Sequence, residues 1–184
     1  MADSEIMDRA ARIELAVFDV DGVMTDGRIM LGSDGREYKA FNVRDGHGLV
    51  MLGKMGVERA VITGRVSQAV TTRMKELAIK HVYQGVQDKL AILESILDTE
   101  DISSENVCYV GDDEPDIVVM SAVGFPVAVA DAEKRVREAA IWITTRPGGK
   151  GAVREVCDLI LYAYAQLTRK PARGKAVPEA TFQG

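Results

Sequence analysis

The sequence has little cysteine, few aromatic side chains and no cluster of positive charge. Of its 184 residues two are cysteine and 5% are aromatic, and the formal net charge is −5. Cys108 lies in an apolar run and Cys157 in a helical pattern, and no Cys-x-x-Cys pair occurs, so we expect both thiols to be reduced and in the core. An acidic chain without a Lys/Arg block is a poor partner for nucleic acid or an anionic membrane surface.

Long hydrophobic runs are also missing. No run approaches the ~18 apolar residues that a transmembrane helix needs, and the first residues show no signal-peptide pattern. A composition of 47% hydrophobic and 28% charged residues is typical of a globular protein with an aliphatic core. We therefore predict a cytoplasmic protein with a single domain over residues 1–169 and a flexible tail over residues 170–184, where Pro, Gly and Lys follow no period.

The most informative stretch runs from Ile13 to Val23, where an apolar, β-prone segment leads into Asp19, Asp21 and Gly22. This pattern predicts a buried strand that ends in an acidic loop. Because an unpaired buried charge costs several kcal/mol, these carboxylates need a partner. Mg²⁺ prefers hard oxygen ligands and is usually held by one or two carboxylates plus substrate phosphate. By itself this short pattern fits an ordinary polar turn equally well.

Strand-like and helical patterns alternate along the rest of the chain. This alternation predicts an α/β fold, a three-layer Rossmann-like sandwich with a mostly parallel sheet. If Asp19 and Asp112 share one metal ion, their strands must be neighbours in the sheet, which requires a crossover. Two short strand-like runs around a Gly/Asp turn predict a protruding β-hairpin at about residues 28–42. The predicted strands are 57–63, 81–83, 107–110, 126–130 and 141–144, and the predicted helices are 45–55, 67–78, 88–97, 114–123, 133–139 and 152–168.

Three later stretches also place polar residues after an apolar run: Thr63-Gly64, Lys89, and Asp112 with Asp113 and Asp116. In order with Asp19-Val20-Asp21-Gly22, they resemble the four-motif pattern of the haloacid dehalogenase superfamily of phosphohydrolases over about residues 13–143. The resemblance implies that Asp19 is a nucleophile that forms an aspartyl-phosphate and that Asp21 is a general acid and base. It further implies phosphate binding by Thr63, Gly64 and Lys89, and Mg²⁺ binding by Asp19, Asp21 (through its carbonyl) and Asp112.

Asp113 and Asp116 are candidates for a supporting role in this site, and Asp116 has a second interpretation. As outer acids they would orient metal-bound water or Lys89. Asp116 also fits an acid at a helix N-terminus, where the helix dipole favours negative charge.

The intervals between the motifs are too short for the cap domain that many members of this superfamily carry. A site without a cap needs another cover, because an open site leaves the substrate poorly positioned and wet. A neighbouring subunit would supply it. The hairpin is the predicted interface of a homo-oligomer, since it carries more apolar side chains than a free surface normally exposes: Ile29, Leu31, Tyr38 and Phe41.

Further segments sharpen the resemblance. Residues 41–46, 83–85, 109–113, 127–132 and 151–158 closely resemble the family of 3-deoxy-D-manno-octulosonate 8-phosphate phosphatases, and the likeness covers about residues 13–165. That family removes phosphate from an eight-carbon sugar acid on the route to lipopolysaccharide, uses Mg²⁺ and works as a tetramer. Lys150 stands where the family often has Arg. A phosphatase for nine-carbon sialic-acid-type sugars, a phosphotransferase and an inactive assembly module of the same fold remain alternatives.

Four basic residues are candidates for binding the sugar acid. Arg44 and Arg65 fit a pair with the substrate carboxylate and fit a pair with local acids equally well. Arg146 and Lys150 flank the glycines of residues 146–151, a segment that is either an ordinary connection or one whose backbone can approach a ligand closely. In an oligomer this segment could reach the neighbouring subunit's site.

Overall fold

The computed structural model describes residues 4–169, so the predicted tail at 170–184 lies outside the described residues. The predicted alternation of strands and helices is confirmed. The strands are β1 Leu15–Phe18, β2 Met30–Leu31, β3 Glu37–Tyr38, β4 Glu58–Thr63, β5 His81–Gln84, β6 Val107–Gly111, β7 Phe125–Ala128 and β8 Trp142–Ile143. The helices are α1 Ser4–Ala10, α2 Val43–Lys54, α3 Gln68–Glu76, α4 Lys89–Glu100, α5 Glu114–Met120, α6 Lys134–Ala139 and α7 Ala152–Arg169.

Six strands form one parallel sheet in the order β5-β4-β1-β6-β7-β8. The strand that precedes Asp19 therefore pairs directly with the strand that precedes Asp112, and the predicted crossover is confirmed. Strands β1 and β6 are buried along their whole length, as expected where helices cover both faces of a parallel sheet. Because parallel strands end at one edge, this order gathers the predicted motifs beyond the carboxyl ends of β1, β4, β5 and β6.

Two groups of packed helices flank the sheet, one formed by α1, α2 and α7 and the other by α4, α5 and α6. Helix α7 buries an apolar stripe that includes Val153, Val156 and Ile160, whereas Leu167 is exposed. The Tyr164 hydroxyl donates to the Ile13 carbonyl just before β1, at 3.0 Å. Leu167 lies one turn beyond this contact, past the amino end of the sheet. No helix within residues 4–169 is long and apolar enough to cross a membrane.

The hairpin is confirmed, but its antiparallel strands β2 and β3 have only two residues each, fewer than predicted. Ile29, Leu31 and Tyr38 are exposed, at 54%, 69% and 53% of their surface. Phe41 differs, because it is half-buried and packs against the core. The hairpin therefore carries an apolar surface, although a smaller one than the sequence predicts.

Candidate active site

A cavity of about 380 Å³ opens beyond the carboxyl ends of the central strands. It gathers every residue predicted to act in catalysis, phosphate binding or metal binding, and one of the four predicted substrate-binding residues, Arg65. Its lining consists of Asp19, Asp21, Thr63, Gly64, Arg65, Val86, Gln87, Lys89, Asp112, Asp113, Pro115 and Asp116. Four stretches that are far apart in sequence thus form one polar site.

Lys89 connects two buried carboxylates at the base of this cavity. Its Nζ donates to Asp19 Oδ1 at 2.8 Å and to Asp116 Oδ1 at 2.7 Å, and all three side chains are at most 8% exposed. Burial raises the pKa of Asp19 to about 6, although the charge of Lys89 opposes this rise. Burial alone would lower the pKa of Lys89, but the two carboxylates outweigh it and hold that pKa above its ordinary value. The ammonium is therefore firmly charged.

Asp116 uses both carboxylate oxygens within the protein. Its Oδ1 accepts from Lys89 and from the Tyr109 hydroxyl at 2.7 Å, and its Oδ2 accepts from the backbone N–H groups of Asp112 and Asp113 at 3.0 and 3.3 Å. With Asp113 it also forms the capping box of α5. The two interpretations of Asp116 are therefore compatible, because the acid at the N-terminus of α5 also binds the Lys89 ammonium. The contribution of Tyr109 was not predicted, since a tyrosine in an apolar strand looks like any core aromatic residue.

Asp112 is the acid whose environment points most directly to a cation. Its Oδ1 is buried and has no hydrogen-bond partner among residues 4–169. Burial, together with the charges of Asp19 and Asp116, raises the pKa of Asp112 to about 8. Gly22, at φ +94°, makes room for this side chain, because a Cβ there would lie 1.9 Å from Asp112 Oδ2. A glycine at this position is therefore a condition for Asp112 to enter the site.

The donor set fits Mg²⁺. Side-chain oxygens of Asp19, Asp112 and Asp116 lie within 4.8 Å of one another, and crowded carboxylate oxygens are the ligands that this ion prefers. Asp116 already accepts four hydrogen bonds, so the side-chain oxygens available to an ion belong to Asp19 and Asp112. The backbone carbonyl of Asp21 lies in the same loop as Asp19, which is consistent with the predicted third ligand.

Asp21 sits at the mouth of the cavity in a cluster of charges. Its Oδ1 accepts from Lys39 of the hairpin, and Arg65 Nε lies 3.8 Å from its Oδ2. Arg65 pairs with Glu37, and this hydrogen bond holds the pKa of Glu37 below its ordinary value. Arg65 was predicted to pair either with a substrate carboxylate or with local acids, and in the structure it pairs with local acids. Neither Glu37 nor Lys39 was predicted, since polar residues in a hairpin normally face solvent.

The other three predicted substrate-binding residues, Arg44, Arg146 and Lys150, are exposed and do not line this cavity. The glycines of residues 146–151 do permit a close approach, but to the chain's own backbone. Gly149 N–H donates to the Val23 carbonyl at 2.9 Å, and a Cβ on Gly148 would lie 1.6 Å from the Gly22 carbonyl oxygen. The segment is thus packed against the loop that follows Asp19 and Asp21, whereas an ordinary free connection would make no such contacts.

The raised pKa of Asp112 predicts an unusual stability profile. An acid whose folded-state pKa is above its ordinary 3.8 favours the folded protein at low pH, and this contribution is lost as pH rises from about 4 to about 8. At pH 8 and in EDTA, Asp112→Asn should therefore melt higher than the unchanged protein, by roughly 5 °C. Mg²⁺ should raise the Tm of the unchanged protein and leave that of the variant nearly constant.

Thermal melts in EDTA and in Mg²⁺ check this expectation. Asp113→Asn is the matched control, because Asn caps a helix as well as Asp does, and it should keep the Mg²⁺ response. An Asp112→Asn protein that gains as much Tm from Mg²⁺ as the unchanged protein would remove Asp112 from the ligand set.

Comparison with known proteins identifies relatives of the whole chain. A family model described as haloacid dehalogenase-like hydrolase matches residues 59–155. The chain is 45% identical over 174 residues to 3-deoxy-D-manno-octulosonate 8-phosphate phosphatase KdsC of Escherichia coli (strain B / BL21-DE3), covering 95% of this chain and 92% of the relative. It is 48% identical over 163 residues to the Yersinia pestis enzyme of the same name, covering 89% and 87%.

Solved structures agree with these sequence matches. The crystal structure of 3-deoxy-D-manno-octulosonate 8-phosphate phosphatase from Moraxella catarrhalis, in complex with magnesium ion, phosphate ion and KDO, is 42% identical and superposes with a TM-score of 0.86 over 90% of this chain and 97% of that one. This chain therefore belongs to the haloacid dehalogenase-like hydrolases and, among them, to the 3-deoxy-D-manno-octulosonate 8-phosphate phosphatase family.

Proposed function

We propose that the chain is a Mg²⁺-dependent phosphatase that hydrolyses 3-deoxy-D-manno-octulosonate 8-phosphate to the free sugar acid and phosphate. The observation that carries the proposal is the convergence of Asp19, Thr63, Lys89 and Asp112 in one cavity, where Asp112 Oδ1 has no hydrogen-bond partner among the described residues. The relatives named for this reaction match nearly the whole chain at 45–48% identity. One of the similar structures holds magnesium, phosphate and KDO together.

In the proposed reaction Asp19 attacks phosphorus and the bond to the sugar oxygen breaks. With a pKa of about 6 its carboxylate is mostly ionised at neutral pH. Splitting hydrolysis through an aspartyl-phosphate replaces one difficult step by two easier ones. When held by Asp19, Asp112 and the Asp21 carbonyl, Mg²⁺ would reduce the repulsion between the nucleophile and the phosphoryl group.

The remaining site residues would bind phosphate and move protons. Lys89 and the buried Thr63, with Gly64 beside it, would donate to the non-bridging phosphoryl oxygens, where charge is spread in the transition state. Asp21 would give a proton to the departing sugar oxygen and then take one from the attacking water. General acid–base help of this kind contributes roughly 10²–10⁴-fold.

A panel of phosphorylated sugar acids tests the substrate. We expect the eight-carbon 3-deoxy-D-manno-octulosonate 8-phosphate to have the highest kcat/KM, by about tenfold or more over nine-carbon sialic-acid-type phosphates, with inorganic phosphate as the product. A preference for the nine-carbon esters would move the chain to the alternative substrate class. Transfer of phosphate to a second sugar without release of free phosphate would indicate a phosphotransferase instead.

The four basic residues are proposed to supply charge for the substrate carboxylate, Arg65 from the cavity itself and the exposed Arg44, Arg146 and Lys150 from a neighbouring subunit. The double variant Arg146→Ala/Lys150→Ala should then lower kcat/KM for the sugar acid much more than for p-nitrophenyl phosphate. If a folded double variant loses the same fraction of activity on both esters, Arg146 and Lys150 do not bind the sugar acid.

The protein is proposed to be a cytoplasmic homotetramer. Its subunits are proposed to contact one another through the hairpin. The hairpin exposes Ile29, Leu31 and Tyr38. Tyr38 also lines a groove of about 730 Å³ between the hairpin and α3, together with Phe41 and Val66. Apolar surface of this kind is typical of protein–protein contacts, and closed symmetry would let each subunit cover another's site.

Light scattering after size exclusion measures the assembly. We expect a particle of four 20.0 kDa chains, and we expect Leu31→Asp to shift it to smaller species. Tyr162→Asp is the matched control, since Tyr162 is an exposed aromatic residue on α7, away from the hairpin. A fully active monomer at micromolar concentration would contradict the proposal.

A further inference from the structure

The side chain of Lys39 is buried, although most of the hairpin is exposed. This side chain is only 2% exposed, and its Nζ contacts Asp21 Oδ1 and lies 3.1 Å from Glu37 Oε1. An ammonium group withdrawn from water is costly unless carboxylates compensate it. The two acids therefore stabilise the buried Lys39 side chain. One of them, Asp21, belongs to the catalytic loop.

Arg65 closes this cluster into a ring of two acids and two bases. It contacts Glu37 and lies 3.8 Å from Asp21 Oδ2. Its side chain is 46% exposed, so solvent and salt screen its attraction to Asp21. The unscreened contact from Lys39 is the stronger restraint on the Asp21 carboxylate.

Because of the contact with Lys39, the two carboxylate oxygens of Asp21 have different surroundings. Oδ1 accepts from Lys39, and because an ammonium only donates, no transferable proton fits between them. Oδ2 is buried and has no hydrogen-bond partner within residues 4–169. We propose that Lys39 is a positioning residue that fixes Asp21 so that Oδ2 faces the leaving oxygen. This inference rests on the proposed phosphatase function, in which Asp21 protonates the departing alkoxide.

A direct role for Lys39 in binding the sugar acid fits the structure less well. Lys39 does not line the catalytic cavity, whereas Asp21 does. Its Nζ is already engaged by two carboxylates, which would have to be displaced before the ammonium could bind a substrate carboxylate. Positioning of Asp21 requires no such rearrangement.

The test is the dependence of rate on the leaving group, measured with simple phosphate esters that carry no sugar acid. p-Nitrophenolate leaves without a proton, whereas an alkoxide needs one. Lys39→Met should therefore reduce kcat/KM for p-nitrophenyl phosphate by less than about threefold and for an alkyl phosphate by roughly 10²-fold, within the range of lost acid catalysis. Arg36→Met is the matched control, since Arg36 is an exposed base of the same hairpin that pairs with Asp34 at 3.2 Å.

A second variant and a double variant complete the test. Lys39→Gln keeps a donor for Asp21 and should retain more alkyl phosphatase activity than Lys39→Met. Adding Asp21→Asn to Lys39→Met should cost little beyond Asp21→Asn alone, because both changes act on one function. Circular dichroism and light scattering establish fold and assembly for each protein.

Equal losses on aryl and alkyl esters, or a loss confined to KM for the sugar acid, would overturn the inference. So would full additivity in the double variant. Release of phosphate from esters by the unchanged protein tests the proposed function separately, so the two failures are distinguishable.

Discussion

Replacement of Asp19 by Asn is expected to lower phosphate release by at least about a thousandfold while the fold persists. The amide has the same shape as the carboxylate but is a poor nucleophile and a poor Mg²⁺ ligand, so both the covalent step and metal binding suffer. The fold should persist because Lys89 keeps its second partner, Asp116, at 2.7 Å. Phosphate release and circular dichroism on the same preparation measure the two effects.

The matched control for this prediction is Asp88→Asn. Asp88 precedes Lys89 and caps α4 by accepting from the Ala91 N–H at 3.1 Å, a role that Asn fills equally well. This control should retain full activity. If the folded Asp19→Asn protein keeps a tenth of the original rate, Asp19 is not the nucleophile.

The position of Asp19 in a candidate site was predictable from the sequence for a physical reason. An apolar strand that ends in Asp19 and another that ends before Asp112 cannot each bury a lone charge, and a shared cation solves both problems. If the two acids share one cation, β1 and β6 must be neighbours, and the structure shows that these two strands pair. Local pattern and the cost of burial pointed to Asp19 but fitted a polar turn equally well, and the resemblance of the four ordered motifs to the haloacid dehalogenase superfamily decided between the two interpretations.

Contacts between residues that are far apart in the chain could not be predicted from a comparable sequence pattern. Tyr109 reads as a core residue in an apolar strand, and only the fold shows its hydroxyl 2.7 Å from Asp116. Lys39 reads as a solvated charge in a hairpin, since its burial depends on how the hairpin folds back over Asp21. The glycines at 148 and 149 predicted a close approach, but the pattern carried no information on whether a ligand or the 22–25 backbone would be the neighbour.

The last prediction concerns Lys89→Met, which keeps the length of the side chain and removes its charge. In metal-free protein the change leaves Asp19 and Asp116 buried without their shared cation, which costs about 3–5 kcal/mol for a broken buried pair. The pKa of Asp19 should then rise further, because Lys89 no longer opposes the effect of burial, so the folded state is penalised more as pH rises and less as pH falls. We expect a large loss of Tm at pH 8, a small loss at pH 5, and partial recovery at pH 8 when Mg²⁺ is added.

Thermal melts at both pH values, in EDTA and in Mg²⁺, measure these changes in Tm. The rate of phosphate release should stay at least about a hundredfold below that of the unchanged protein, even where the variant is folded. Lys134→Met is the control, because Lys134 is 81% exposed and pairs weakly with Glu138 at 3.6 Å. It should melt with the unchanged protein at both pH values. A loss of Tm for Lys89→Met that is equal at pH 5 and pH 8 would mean that packing, and not charge, explains the contribution of Lys89, since removal of an uncharged contact has no reason to depend on pH.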